Sequence, residues 1–197
     1  MITKNLPPVA ARTRLLDAAR ELFAREGYQH VSIQDVLNQA GLSRGALYHH
    51  FKSKKDLFEA VLEATETEIA AALLAAGRGA GSSRDALRSG CVAWLDVASD
   101  PAVRQIALID APTAVGWERW REIDARHGFG MLRSALAHHY ADGEALTSDL
   151  LDSYAHVLLA ALLELGLLVA HADDPVAARE SAVTAVDQLL DGLLPRH

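Results

Sequence analysis

Where the prolines fall constrains this chain more than any other feature. They stand at positions 7, 8, 101, 112, 175 and 195, and residues 9–100 contain none. Inside a helix a proline removes a hydrogen bond and clashes with the preceding turn, whereas at a first turn it costs little. The long proline-free stretches can therefore be helical. About a third of the residues are Ala or Leu, both strong helix formers, and no segment sustains apolar–polar alternation at a period of two. The expected fold class is all-α.

Apolar spacing and caps place the elements. A helix from Val9 to Glu26 puts Leu15, Ala19, Leu22 and Phe23 on one face and ends at Gly27. Ser32-Ile-Gln-Asp35 is a capping-box pattern opening a short helix that runs to Ala40 and stops at Gly41. Ser43 caps another short helix, through Phe51, and Ser53-Lys-Lys-Asp56 opens a long one through Ala76. The Gly- and Ser-rich run 77–83 is a linker. Further helices are expected near 84–99, 101–110, 117–140, 148–171 and 174–194, with Asp100-Pro101 and Asp174-Pro175 as cap and first turn. Gly128 and Gly130 can divide the third of these. The penultimate helix is apolar on nearly every side and should be buried all round; the last repeats Val176, Val183, Val186, Leu190 and Leu193.

Composition excludes several classes. With 197 residues, 50% hydrophobic and 23% charged, the chain is neither disordered nor collagen-like. The single cysteine, Cys91, permits neither an internal disulfide nor a cysteine-based zinc cluster. The first residues lack the apolar run of a secretory signal. The greasiest stretch, Val157 to Ala170, is interrupted by Glu164 and falls short of the roughly 20 apolar residues of a span. A cytoplasmic protein with no membrane partner is expected.

The net charge of −7 is unevenly distributed. Residues 1–60 hold nine Lys/Arg against six Asp/Glu, and residues 61–197 hold ten against twenty. All four lysines (Lys4, Lys52, Lys54 and Lys55) lie in the first stretch. That asymmetry suggests a small basic module, able to approach a polyanion, on a larger acidic body.

The two short helices around Gly41-Leu42 form a helix-turn-helix pattern. In the second, Leu47 and Phe51 point together into a core with Ile33, Val36 and Leu37. Gly45 and His49 then lie opposite, flanked by Ala46 and Tyr48, while Arg44 extends past the helix end. This face suits a DNA major groove. Arg44 can contact guanine bidentately, Gly45 and Ala46 allow close backbone approach, and Ala46 can touch a thymine methyl. Tyr48 and His49 can donate to phosphates, and Ser32 and Lys54 stand at helix N-termini, where free N–H groups favour phosphate oxygens. A two-helix corner with a basic rim also occurs in helical bundles that bind nothing.

The run from Thr13 to Tyr28, followed by Val31 to Phe58 with its Gly-Leu-Ser-Arg-Gly-Ala-Leu-Tyr-His-His-Phe segment, closely resembles the N-terminal module of TetR-family transcriptional regulators. The resemblance covers about residues 9–69, with the helix-turn-helix at 32–51. It implies a three-helix DNA-binding domain and a larger helical ligand-sensing domain, here 84–197, dimerised through its last two helices. It also implies that Ser32, Ser43, Arg44, Gly45, Tyr48, His49 and Lys54 face operator DNA. Where the family often has Thr at the start of the second helix, Ser32 keeps the hydroxyl.

Beyond residue 69 the resemblance is architectural, although Leu108 to Asp124 looks like a segment found in a subset of TetR-like regulators. Trp117 and Trp120 share a helix face, and Trp94 stands on an earlier helix. These rings, with Asp110, His127 and His156, are candidates to line a pocket for a partly aromatic or amphipathic small molecule; core packing is the competing account of the tryptophans. No His-x-x-x-His pair occurs among the nine histidines, so no metal and no cofactor are expected. There is no Gly-x-Ser-x-Gly elbow, no phosphate-cradling loop after a strand and no His-Glu-x-x-His, so the chain is not expected to be an enzyme. Glu164 and Asp96, isolated carboxylates in apolar surroundings, suit pairing better than acid–base work.

The last two helices, about 148–171 and 174–194, carry more apolar surface than a thin domain can bury, which implies a homodimer through a four-helix interface. Such a dimer would bind a palindromic operator and be released by a small-molecule effector, with the helix from Ser53 joining both domains. An activator or corepressor-dependent regulator would share these features. A structural helical dimer would show no salt-dependent DNA binding.

Overall fold

The computed structural model describes residues 7–141 and 146–194. Among the described residues it is all-α, with nine helices. They are α1 (Pro8–Glu26), α2 (Ile33–Ala40), α3 (Arg44–His50), α4 (Lys54–Ala76), α5 (Ser83–Ala98), α6 (101–114), α7 (117–140), α8 (Ser148–His171) and α9 (Pro175–Leu193). Residues to Thr65 together with Pro101–Trp120 make one compact unit, and Glu66–Asp100 together with the residues from Arg121 onward make a second. The first unit thus takes in α6, which lies some thirty-five residues beyond its main stretch.

Two helices depart from the expected pattern. Residues 101–114 run through Pro112, past the expected end at residue 110, because Arg104–Asp110 forms a wide π-helical stretch. The Ala111 N–H reaches back to Ile106 O, and Pro112 falls in the first turn of the α-helical piece that follows. There it needs no N–H. In α7 the two glycines do not break the helix; a second π-helical stretch, Ala125–Phe129, absorbs Gly128 between Trp117–Asp124 and Gly130–Tyr140.

The first unit is built around rings and short, capped helices. α1 buries Ala11, Leu15, Ala18, Ala19, Leu22 and Phe23, the spacing of one helical face. Phe23, Tyr28 and Phe58 cluster with ring centroids 4.9–5.8 Å apart. In α2 the capping box closes in both directions: Asp35 N–H donates to Ser32 Oγ at 3.2 Å, and Ser32 N–H donates to Asp35 Oδ2 at 2.8 Å. The helix ends at Gly41, with φ +63° and ψ 37°, a left-handed conformation that a side chain would strain. The Leu42 N–H then returns to Leu37 O at 3.1 Å, closing a Schellman-type turn. At α4 the expected box closes on one side only. Asp56 N–H donates to Ser53 Oγ, but the Asp56 carboxylate accepts from Lys52 N–H.

The second unit is built on long helices. α8 packs against α5, α7 and α9 through Leu151, Ala155, Leu158, Leu159, Leu162, Gly166 and Val169. It is not buried all round as expected: Leu150, Val157 and Leu168 are exposed. The neighbouring helices cover one face of α8, and the remaining apolar side chains stay outside the core. At 24 residues α8 is long and apolar enough to pass as a membrane span by composition, although Glu164 lies within it.

Arg84–Asp191, Arg88–Asp187 and Arg179–Asp96 zip α5 to an antiparallel α9. The guanidiniums of Arg179 and Arg88 hold the Asp96 and Asp187 carboxyls below the usual carboxylate range. Asp96 is thus a paired carboxylate. Burial pushes the Cys91 thiol up to about 12, so it serves as a small core side chain.

Candidate nucleic-acid interface

α3 is seven residues long, too short to stand alone, and owes its shape to its ends and one buried side. Ala46 N–H donates to Ser43 Oγ at 3.3 Å at the start, and Phe51 N–H donates to Leu47 O at 2.9 Å at the end. Leu47 is wholly buried and Phe51 nearly so, with the Arg12 guanidinium over the Phe51 ring at 5.5 Å. The opposite side holds Ser43, Arg44, Gly45, Tyr48 and His49, all exposed, with Ala46 half-buried between the two faces. A Cβ on Gly45 would meet only Ser43 Oγ, at 3.9 Å. The outward surface is therefore low at its centre, with a forked cation at one end, a phenol beside it, and the His49–His50 ring pair at the other end. These groups can donate to guanine edges and phosphates, and the low centre permits close approach.

The two helix-terminal residues stand differently. The Ser32 hydroxyl donates to Asp35 Oδ2 at 2.6 Å while accepting Asp35 N–H, so its own helix occupies it. That bond holds the Asp35 carboxyl below its usual range. Lys54 turns inward. Its Nζ donates to Tyr28 O at 2.9 Å and Val31 O at 3.0 Å, and lies 4.2 Å from the centre of the Tyr28 ring. What α4 presents outward at this position is a helix N-terminus rather than a free ammonium.

The candidate pocket residues divide between the units. Asp110, Trp117 and Trp120 belong to the first. Asp110 is buried and accepts the Tyr28 N–H at 2.7 Å, while Trp117 is 64% exposed and lies tilted against Trp120, ring centroids 5.1 Å apart. Trp94, His127 and His156 belong to the second. Trp94 is a core residue whose indole N–H donates to Leu162 O at 2.7 Å, so packing accounts for it. His156 sits edge-on to Phe129 at 4.3 Å, and His127 and His156 both act on the Asp124 carboxyl. Burial pushes that carboxyl up, against the pull of Arg121 and the two histidines. Sequence reading overlooked Asp124 and Tyr28, for neither carries a pattern; Tyr28 matters through Asp110 and Lys54, distant in the chain, and Asp124 through its burial. Among the described residues no cluster of three potential metal ligands forms.

Residues 15–61 match the family model described as bacterial regulatory proteins, tetR family, and residues 84–193 match the tetracyclin repressor-like C-terminal domain. An HTH-type transcriptional repressor of Mycobacterium tuberculosis, Rv1474c, is 33% identical over 156 residues, covering 78% of this chain and 81% of that protein. The regulator AcrR of Shigella flexneri is 41% identical over 58 residues, so the chain matches 27% of its length. The crystal structure of a TetR-family transcriptional regulator from Pectobacterium atrosepticum superposes with a TM-score of 0.76 at 30% identity, covering 96% of each chain.

Proposed function

The chain belongs to the TetR family of bacterial DNA-binding transcriptional regulators, and from that premise we propose that it is a repressor which grips a palindromic operator as a homodimer and lets go when a small molecule binds. In this reading residues 9–69 form the DNA-binding domain and 84–197 the effector-binding and dimerisation domain. Such regulators are not enzymes, and they work in the cytoplasm, where the DNA is.

One observation carries the DNA half of the reading: α3 buries Leu47 and Phe51 and turns Arg44, Tyr48 and His49 outward around the bare backbone of Gly45. Arg44 is the base reader. Tyr48, His49, Ser43 and the N-termini at Ser32 and Lys54 meet phosphates, and Ala46 lies close to the groove floor.

The side of α8 and α9 left open supports the dimer. Leu168 is 56% and Val176 69% exposed, and a groove of about 810 Å³ between the two helices is lined by Leu165, Leu168, Ala178 and Ala182, with Glu164 and His171 beside them. A twofold-related copy of the same helices would bury this surface and place two recognition helices one DNA turn apart, roughly 34–36 Å. For the effector, His127 and His156 around Asp124 are the polar groups that the second unit offers. Release requires only that the effector favour one arrangement of the dimer; on the order of 1–3 kcal/mol of coupling changes DNA affinity 5- to 150-fold.

Selecting duplexes from a random library with the purified full chain tests the reading. A twofold-symmetric enriched sequence, bound by a species of twice the chain mass and with steep salt dependence, is expected. Enrichment of no sequence, or binding by single chains to an asymmetric site, would refute it.

A further inference from the structure

The peptide of Tyr28 is held from two directions. Its N–H donates to Asp110 Oδ2 at 2.7 Å, and its carbonyl accepts from Lys54 Nζ at 2.9 Å. Lys54 also holds the carbonyl of Val31, the residue immediately before the Ser32 cap of α2. The turn that leads into the helix-turn-helix is thus pinned by α4 on one side and by α6 on the other.

Asp110 is an unusual source for such a pin. It lies 82 positions further along the chain, within the stretch matched by the C-terminal family model, and yet packs in the first compact unit. It is 7% exposed and closes the π-helical part of α6. The approach is tight: a Cβ on Gly27, whose φ is +79°, would stand 3.2 Å from Gln105 Nε2 and 3.7 Å from Asp110 Oδ2. Arg119 pairs with Glu59 of α4, so residues 101–120 meet the main stretch of the unit at a second point. A half-buried N–H that loses its acceptor is costly, and the turn would shift to recover one.

We propose that Asp110 is a positioning residue for DNA reading: by accepting the Tyr28 N–H from α6, it fixes where α2 begins and hence how α3 is presented. The inference rests on DNA reading by α3 and needs neither the dimer nor the effector.

The test uses the full chain, the duplex that wild type enriches from a random library, and a scrambled duplex of the same length. Asp110→Ala should lose about tenfold or more on the enriched duplex, while its affinity for the scrambled one and the salt dependence stay as in wild type. Asp110→Asn, whose amide oxygen still accepts the N–H, should stay within about threefold. Wild-type affinity for Asp110→Ala, equal weakening on both duplexes, or an Asn variant as impaired as Ala would overturn the proposal. Should Asp110→Ala fail to fold by circular dichroism, the Asn variant and hydrogen exchange decide. A Tyr28 amide that exchanges as fast as its exposed neighbour Gln29 sinks the pin, and a protected one supports it. A wild-type chain that enriches no duplex would instead remove the DNA-reading premise, which separates that failure from this one.

Discussion

The two compact units solve the same problem, packing helices, by opposite means. The first holds two short helices, α2 and α3, that could not persist alone, and their ends are fixed residue by residue: Ser32 and Asp35 at α2, Ser43 at α3, Gly41 between them. The second uses long Ala- and Leu-rich helices held by broad apolar faces and by an Arg–Asp ladder from α5 to α9. A turn between two short helices tolerates few residues at each position. A broad apolar face tolerates many, provided the volume is filled. Chemistry fixed residue by residue therefore gathers in the first unit, and freedom to vary side chains in the second.

Substitutions can break or sharpen that contrast. The largest effect is expected from Phe58→Ala, which removes the centre of the ring cluster: about 3–5 kcal/mol of stability by denaturant unfolding. A loss as small as that of a surface change would mean that the rings do not organise the first unit. Arg44→Ala should leave the melting temperature alone and cost roughly 1–3 kcal/mol of operator binding, with base preference relaxed at one position of each half-site. Retained affinity and preference in a titration series would remove Arg44 as the reader. Ser32→Ala should cost about 1 kcal/mol of stability through the lost cap, visible as a lower melting temperature.

The ladder should matter least. Asp96→Asn and Asp187→Asn are each expected to cost about 0–1 kcal/mol, since the pairs are exposed to solvent. Its pH dependence has a definite sign. The folded state depresses both carboxyl pKa values, so the ladder's contribution is complete above the unfolded carboxylate value near 3.9 and fades as pH falls through the lower folded values. Thermal melts from pH 6 to pH 2 should show that loss in wild type and a smaller one in the double variant.

Most of the first unit could be read without coordinates. The capping box at Ser32, the Gly41 turn and the cap at Ser43 are local chemistry, decided within four or five residues. The end of α1 at Gly27 belongs with them. Exposure along α3 follows from the helical period once Leu47 and Phe51 are assigned to the core. The sequence misled where the deciding partner was remote. Lys54 reads as a cation at a helix N-terminus, but the Tyr28 and Val31 carbonyls claim its ammonium. Trp94 reads as a possible ligand contact, and its N–H is spent on Leu162. The continuation of α6 through Pro112 depends on a wide turn, for which no residue pattern gave notice.

From the sequence alone came the all-α class, the caps and turn of the helix-turn-helix, and the basic face carried on an acidic body, because each depends on neighbours along the chain or on simple counts. The tertiary structure decided that α6 belongs with the DNA-reading unit, that Asp110 and Lys54 grip the Tyr28 peptide from opposite sides, and that one side of α8 stays open. Those outcomes depend on which distant surfaces meet. A buried donor takes whichever acceptor the packed helices bring within about 3 Å, and spacing along the chain does not encode that choice.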